Sequence, residues 1–317
     1  MHGWGVSDAR GPSRRPDVIL LLVAVVWGSS YLAAKTATTA VPVLTVLLVR
    51  YAVSAVACGG LVAARRGTRR FTPDELRSGV LLGVTQAAVL VLETYGVAHT
   101  SAANAGLIIS LTIVLTPLLD RAGGRGPLPG AFHAAAGTCV LAVGLLMSGT
   151  GLHLPGTGDL LMVAAAVVRA GHVVLVGRRT ADGAIRPLHL TTVQTAVGTV
   201  LFLPAAATQL PALARSGAAT WGQLLYLALF CSVFAFLAQT WAVQRTSASR
   251  ASLLLGTEPV WAVVTGVAVG GEHLALIAAL GAVLMVAGTS WGQAVERRHR
   301  TAPRPAPVPN AEALTGV

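Results

Sequence analysis

The stretch Q-T-W-A-V-Q-R-T-S-A-S-R-A-S-L-L-L-G-T-E-P-V, Gln239 to Val260, decides how the chain is read, because it occurs twice. The other copy is E-T-Y-G-V-A-H-T-S-A-A-N-A-G-L-I-I-S-L-T-I-V, Glu93 to Val114. At a constant offset of about 146 residues, Thr94 falls on Thr240, Tyr95 on Trp241, Thr100-Ser101-Ala102 on Thr246-Ser247-Ala248 and Ala105 on Ala251. Self-similarity at a fixed period marks a duplication. In each copy an apolar run closes at a short polar hinge and another opens at once, so the repeated unit is two long helices joined by a tight turn.

The solvent of those helices follows from composition. With 54% hydrophobic and 11% charged residues among 317, and a mean hydropathy of +0.70, the chain has too few charges to cover a soluble globule. A hydrocarbon core about 30 Å thick takes roughly 20 apolar residues at about 1.5 Å each. Ten such runs are expected to be transmembrane helices: 18–38, 42–64, 78–98, 101–119, 130–149, 158–177, 187–208, 220–244, 248–270 and 274–294. The fold class is therefore all-α integral membrane. Cys58, Cys139 and Cys231 fall inside these runs, where a thiol is a small apolar side chain, so neither a disulfide nor a metal site is expected. Arg10, Arg14 and Arg15 precede the first run as in a secretory signal, but the run ends in Lys35 without a cleavage site and reads as an uncleaved helix.

A net charge of +11 would suggest nucleic acid in a soluble protein. Here topology accounts for it. With the N-terminus inside, 19 of the 23 Lys and Arg fall in cytoplasmic segments, the densest being Arg65, Arg66, Arg69, Arg70 and Arg77, while outer segments hold only Lys35 and Arg215. That bias predicts both termini in the cytoplasm. The duplication extends to the first helices of each half: at an offset near 142, Asp159 falls on Asp17 and Val168-Arg169 on Val26-Trp27. Five spans per half is an odd number, so the two halves, 18–149 and 158–294, enter the membrane from opposite sides as inverted-topology repeats. Residues 1–17 and 295–317, rich in Arg, Gly and Pro, are expected to be disordered cytoplasmic ends.

Chemistry is scarcer. Only Glu93 and Glu258 are carboxylates deep inside spans. A carboxylate at the bilayer centre costs on the order of 2.5–3.5 kcal/mol unless it is protonated, paired or facing water. Glu258 directly precedes Pro259, which has no N–H and frees the carbonyl of Leu255, so an acid lies beside a broken helix there, as in a midplane substrate site. The bland alternative is that Glu258 ties the kink to a neighbour, and that Glu93, whose repeat partner is Gln239, makes a helix–helix hydrogen bond. Arg50 and Arg169 are the candidate cations for these acids, Arg50 the favoured one. His172, three residues after Arg169, is either a proton relay or a buried ring bonded to a carbonyl. Trp27 and Tyr31 in W-G-S-S-Y offer large faces for a cavity wall or for packing. Thr116-Pro117 should kink span 4 by freeing the carbonyl of Ile113. Thr72 is placed to cap span 3, with Pro73 at its first position. The only lysine imitates the end of a phosphate-binding loop in A-A-K-T, but Ala34 and Ser29 replace its glycines. No nucleophile or metal motif accompanies it.

Taken together, W-G-S-S-Y-L-A-A-K, P-V-L-T-V-L-L-V-R-Y, T-S-A-A-N-A-G-L-I, T-S-A-S-R-A-S-L-L-L-G-T-E-P-V and G-G-E-H-L resemble the recurring blocks of the drug/metabolite transporter superfamily, and within it the EamA-type inner-membrane permeases. The resemblance covers about 17–294. It implies ten helices in two inverted repeats, a central cavity, and export of small metabolites or xenobiotics by alternating access. Three departures stand out: Thr112-Ile113-Val114 where the first repeat usually has Thr-Pro-Val, Arg169 where a tryptophan is common, and Glu93, which is atypical and points to cation coupling. The expectation is a secondary transporter, not an enzyme, with no cofactor and no metal. Its partners are a small-molecule substrate, the lipid bilayer and a proton, with no nucleic acid and with homodimerisation left open. The cavity and coupling candidates are Glu258, Glu93, Gln239, Arg50, Asn104, Trp27, Tyr31, Trp241 and Arg169, and the hinges are Pro259 and Pro117. The rival class is a non-transporting sensor or scaffold, which would be expected to carry a soluble domain.

Overall fold

A computed structural model describes residues 15–65, 70–122, 129–147, 156–180, 184–243 and 254–301, and every regular element among them is helical. The first half holds α1 (Arg15–Ala40), α2 (Val43–Ala64), α3 (Pro73–Ala98), α4 (Ala102–Ile109), α5 (Thr112–Ala122) and α6 (Gly130–Met147). The second holds α7 (Thr157–Thr180), α8 (Pro187–Ala206) and the short α9 (Leu210–Ala214). It continues with α10 (Ala218–Leu225), α11 (Ala235–Val243), α12 (Glu258–Ala268) and α13 (Leu276–Thr301). A π-helical segment, Tyr226–Phe234, joins α10 to α11 without a break, a widening of the turn that the apolar pattern did not signal.

Among the described residues, eight helices are long and apolar enough to cross a membrane, counting Ala102–Asp120 and Ala218–Gln239 as one each; Gly130–Leu146 and Glu258–Ala268 are shorter apolar helices. The outward faces agree with lipid as solvent: Val56, Val140, Val200 and Leu276 are all exposed. The three cysteines are buried and unbridged.

Local signals explain where helices begin. Thr72 caps α3 in a reciprocal capping box with Glu75, with Pro73 in the first turn as expected. Ser101 accepts the N–H of Asn104 at the start of α4. The interruption of the helical pattern in this span is not at Pro117. Pro117 sits inside α5, and the interruption comes earlier, at Ser110–Leu111, where the N–H groups of Ser110, Leu111 and Ile113 each bond three residues back. The second half repeats it: Gly256–Thr257 precede α12, and at the offset of 146 they align with Ser110–Leu111. The break therefore belongs to the duplicated backbone, and Pro259 occupies the first turn of a new helix, where a missing N–H costs nothing.

At the chain ends, α1 begins at Arg15 and α13 continues to Thr301, so helix replaces the expected disorder over 15–17 and 295–301. The remaining tails, 1–14 and 302–317, lie outside the described residues. So do Arg66, Arg69 and Arg125, the loop before Gly156, and the second hinge with Arg245 and Arg250.

Close packing of the halves uses glycine. A Cβ on Gly28 would stand 2.6 Å from Trp261 Cβ and 2.8 Å from the Glu258 carbonyl oxygen, and one on Gly106 would overlap Ala262 and Tyr31. Both α1 and α4 thus approach α12 at a distance only glycine allows. Gly79 and Gly83 do the same for α3 against Val193 and Val197 of α8.

Candidate functional site

The close seat of α12 on α1 brings Glu258 to Tyr31. The Tyr31 hydroxyl donates to Glu258 Oε1 at 2.7 Å. From α7, Arg169 reaches into the same place: Nη2 lies 3.4 Å from Glu258 Oε2, and Nη1 donates both to Glu93 Oε1 on α3 and to the Tyr31 hydroxyl oxygen, each at 3.3 Å. Its guanidinium carbon also stands 5.5 Å from the ring centroid of Trp27, in cation–π range. Side-chain exposure is only 20% for Arg169, 13% for Glu93 and 11% for Glu258, so this is a largely desolvated cluster of two carboxylates and one guanidinium. One cation cannot neutralise two acids. With every group ionised these three groups carry a net negative charge, which Arg50, within electrostatic reach of Glu93, offsets in part.

Of the residues singled out from sequence, the structure joins Glu93, Glu258, Arg169, Tyr31 and Trp27. It places the others elsewhere. Arg50, favoured as the partner of the acids, donates from Nε to Ser232 Oγ on the π-helical segment at 2.8 Å, and its carbonyl accepts from Ser54. Asn104 Nδ2 donates to the Leu146 carbonyl, tying α4 to α6. His172 Nδ1 lies 2.7 Å from Thr85 Oγ1, a hydroxyl rather than the expected carbonyl. Gln239 is a partly buried residue of α11, and Trp241 on the same helix lines a separate cavity with Arg65 and Arg186.

Two polar locks were not read from the sequence. Glu272, in the turn between α12 and α13, accepts from Lys35 Nζ at 2.8 Å and from the backbone N–H groups of Ala102 and Ala103 at 2.7 and 3.0 Å. It thereby caps the positive end of α4 and anchors the end of α1. Burial pushes the Glu272 carboxyl up, but the bond from Lys35 and the two backbone donors outweigh it and hold the group below the usual carboxylate range. Its only signal was the G-G-E-H-L block, which names no partner. The second lock is Glu75, fully buried, which accepts from Arg186 Nε at 2.8 Å and lies 3.0 Å from His189 Nδ1, fastening α3 to α8. Its capping role was visible in T-P-D-E; its partners 111 and 114 residues away were not.

Comparison with known proteins follows the same lines. The model of the EamA-like transporter family matches the chain twice, over residues 14–148 and 156–291. An uncharacterized transporter of Bacillus subtilis (strain 168), YyaM, is 30% identical over 210 residues, covering 64% of this chain and 68% of that one. A probable terminal-alkyne amino-acid exporter of Streptantibioticus cattleyicolor is 28% identical over 275 residues, covering 85% and 90%. An uncharacterized transporter of Archaeoglobus fulgidus is 25% identical over 272 residues, covering 85% and 83%. A solved crystal structure shares the fold with a TM-score of 0.64 at 18% identity, across 92% of this chain and all of that one.

Proposed function

The chain belongs to the EamA-like transporter family, and on that premise we propose that it is a secondary exporter of the inner membrane that exchanges protons for a small solute carrying an ammonium group. It works by alternating access between two inverted five-helix repeats, with both termini in the cytoplasm. The observation that carries this reading is Arg169 shared between Glu93 and Glu258, two buried carboxylates bonded by a single guanidinium. A proton on either carboxylate lowers their mutual repulsion, and so does a substrate ammonium. The two then compete for one site, which is the thermodynamic requirement of antiport. A substrate carboxylate is met by Arg169, whose planar fork suits it, while Trp27 and Tyr31 supply flat apolar faces. Amino acids are therefore the favoured class, in keeping with the amino-acid exporter among the relatives.

The roles of the acids differ. Glu258, held by Tyr31 and Arg169, contacts the substrate; Glu93, bonded to Arg169, carries the proton. The test is a panel of radiolabelled amino acids and cationic xenobiotics in proteoliposomes, with and without a pH gradient. Gradient-dependent accumulation of amino acids, inhibited by excess protons on the binding side, is expected. Accumulation that ignores the pH gradient would refute the exchange, and transport of cations lacking a carboxylate in preference to amino acids would refute the assigned class.

A further inference from the structure

Apart from the carboxylate cluster, two further carboxylates join the halves of the chain. Glu75 ties α3 to α8, and Glu272 ties the end of α12 to α1 and α4. They act on different kinds of element. Past Glu75, α3 and α8 run on unbroken, and Gly79 and Gly83 seat them tightly on each other at Val193 and Val197. By contrast, α4 and α12 are short pieces, each cut from the rest of its span by a backbone break, at Ser110–Leu111 and Gly256–Thr257. Of the two ties, that of Glu272 therefore falls on helices that can turn about a hinge.

Glu272 moves with α12. Its own N–H donates to the Gly266 carbonyl at 3.0 Å, folding the turn back on the helix end through Gly271, whose φ of +65° suits glycine. From this turn inward the chain presents Gly270, Gly266 and Ala262, four residues apart and so on one face. A Cβ on Gly270 would stand 2.8 Å from Leu32 Cδ1 of α1, and one on Gly266 would stand 3.1 Å from Ala103 N of α4. Deeper still, Gly106 of α4 meets Ala262. With Ala102, Ala103 and Ala262 buried, the seam between α12 and α4 is closed from Glu272 inward. Glu258 opens the same helix, which is 11 residues long and so spans about 15 Å. One rigid element thus carries a site acid at its hinged end and Glu272 at its far end.

We propose that α12 is a lever between the carboxylate cluster and a gate, with the α4–α12 seam as the gate and Glu272 as its latch. The proposal rests on the alternating access inferred above and adds the device that links site to gate. Release of Glu258 by a proton or an ammonium group tilts α12 about Gly256–Thr257 and draws Glu272 away from Lys35 and the α4 N–H groups. On the topology proposed, this gate faces the outside.

The test follows labelling of Ala103→Cys by an uncharged hydrophilic maleimide, on the purified full-length protein in detergent, well below the melting temperature of every variant compared. The unsubstituted chain, whose three cysteines are buried, gives the blank. Glu272→Gln should speed labelling at least tenfold. Lys35→Gln, which weakens the latch with the opposite change of charge, should speed it at least threefold. Tyr31→Phe, which frees Glu258 at the other end of α12, should do likewise. Glu75→Gln, or Arg186→Gln if the former fails to fold, should change the rate less than twofold, and Ala262→Cys replaces Ala103→Cys on the same condition. The proposal is overturned if neither latch variant speeds labelling, if loosening the α3–α8 tie speeds it as much, or if Tyr31→Phe leaves it unchanged. No substrate is present, so these outcomes are separate from proton exchange: transport that ignores a pH gradient refutes the exchange and leaves the lever standing.

Discussion

Replacing Gly28 by alanine isolates the contact on which the site depends. A Cβ there would stand 2.6 Å from Trp261 Cβ, 2.8 Å from Ala262 N and 2.8 Å from the Glu258 carbonyl oxygen. Carbon contacts relax at about 3.5–4.0 Å, so α12 must retreat from α1 by about 1 Å. The Tyr31–Glu258 bond, now 2.7 Å, would then exceed hydrogen-bonding range. Overpacking costs about 1–3 kcal/mol, the lost charge-assisted bond about 1.5–3, and alanine returns about 1 through helix propensity, a net loss of about 1.5–5 kcal/mol. Gly59→Ala is the control, since nothing lies within 4 Å of a Cβ at that position; it should gain about 0.5–1 kcal/mol. In detergent the Gly28 variant should melt roughly 5–10 °C below wild type and the Gly59 variant slightly above it. Tyr31→Phe should cost less in the Gly28→Ala background than alone, because the bond is already gone. An unchanged melting temperature for Gly28→Ala, or full additivity with Tyr31→Phe, would refute the account of how α12 is seated.

Further expectations follow from the same contacts. Glu93→Gln should keep substrate counterflow but lose accumulation driven by a pH gradient, whereas Glu258→Gln should weaken both; flux assays on each purified variant distinguish them, and undiminished concentration of substrate by Glu93→Gln would make that carboxylate structural. Because Ser110–Leu111 are interrupted with Ile113 at the proline register, Pro259→Ala should leave the second break in place and retain at least half the wild-type transport rate. A near-complete loss of transport would return the hinge role to the proline ring. Glu272→Gln should lower stability at pH 7 by about 1–2 kcal/mol through loss of the charge at the α4 N-terminus. Since the folded carboxyl is held below its ordinary value of about 4.3, that contribution is complete above this value and disappears only as pH falls through the lower folded one. Melting curves of wild type and variant should therefore stay parallel from pH 7 to 5 and converge in stronger acid.

How much of this was legible in the sequence depended on whether the cause was local. Helix starts, the lipid-facing composition and the duplication are written in neighbouring residues: Thr72 and Pro73 cap α3 where the pattern placed them, and the α3–α4 hinge falls at His99–Ser101. Proline is the visible breaker, so a kink was expected at Pro117. The actual interruption lies at Ser110–Leu111, and no residue type marks it; the clue was its register with Gly256–Thr257 in the other copy. Both buried acids were found from the cost of burying charge. Arg169, and not the favoured Arg50, makes the bonds to them, although Arg50 is within electrostatic reach of Glu93; burial alone cannot say which of two arginines bonds them. That choice is made by packing: α2 turns Arg50 toward Ser232, and α7 lies against α3, which carries Glu93.

The duplication also shows where the chemistry entered. Each charged member of the cluster has a neutral counterpart in the other half: Glu93 faces Gln239, Glu258 aligns with Thr112, and Arg169 with Trp27. Backbone breaks recur in both halves, but the ionisable groups do not. Inverted repeats need matching backbones to exchange conformations, and they do not need matching side chains. The bonds also join the halves. Tyr31 to Glu258 and Arg169 to Glu93 each run from one repeat to the other, while Arg169 to Glu258 stays within the second. Any movement of one repeat against the other must therefore strain the first two bonds while sparing the third. On the proposed exchange, a proton or an ammonium group arriving at Glu93 or Glu258 would weaken those same cross-repeat bonds. Occupancy of the cluster and the relative position of the repeats would on that exchange be one equilibrium, with the asymmetry of the charges setting which ligand favours which state.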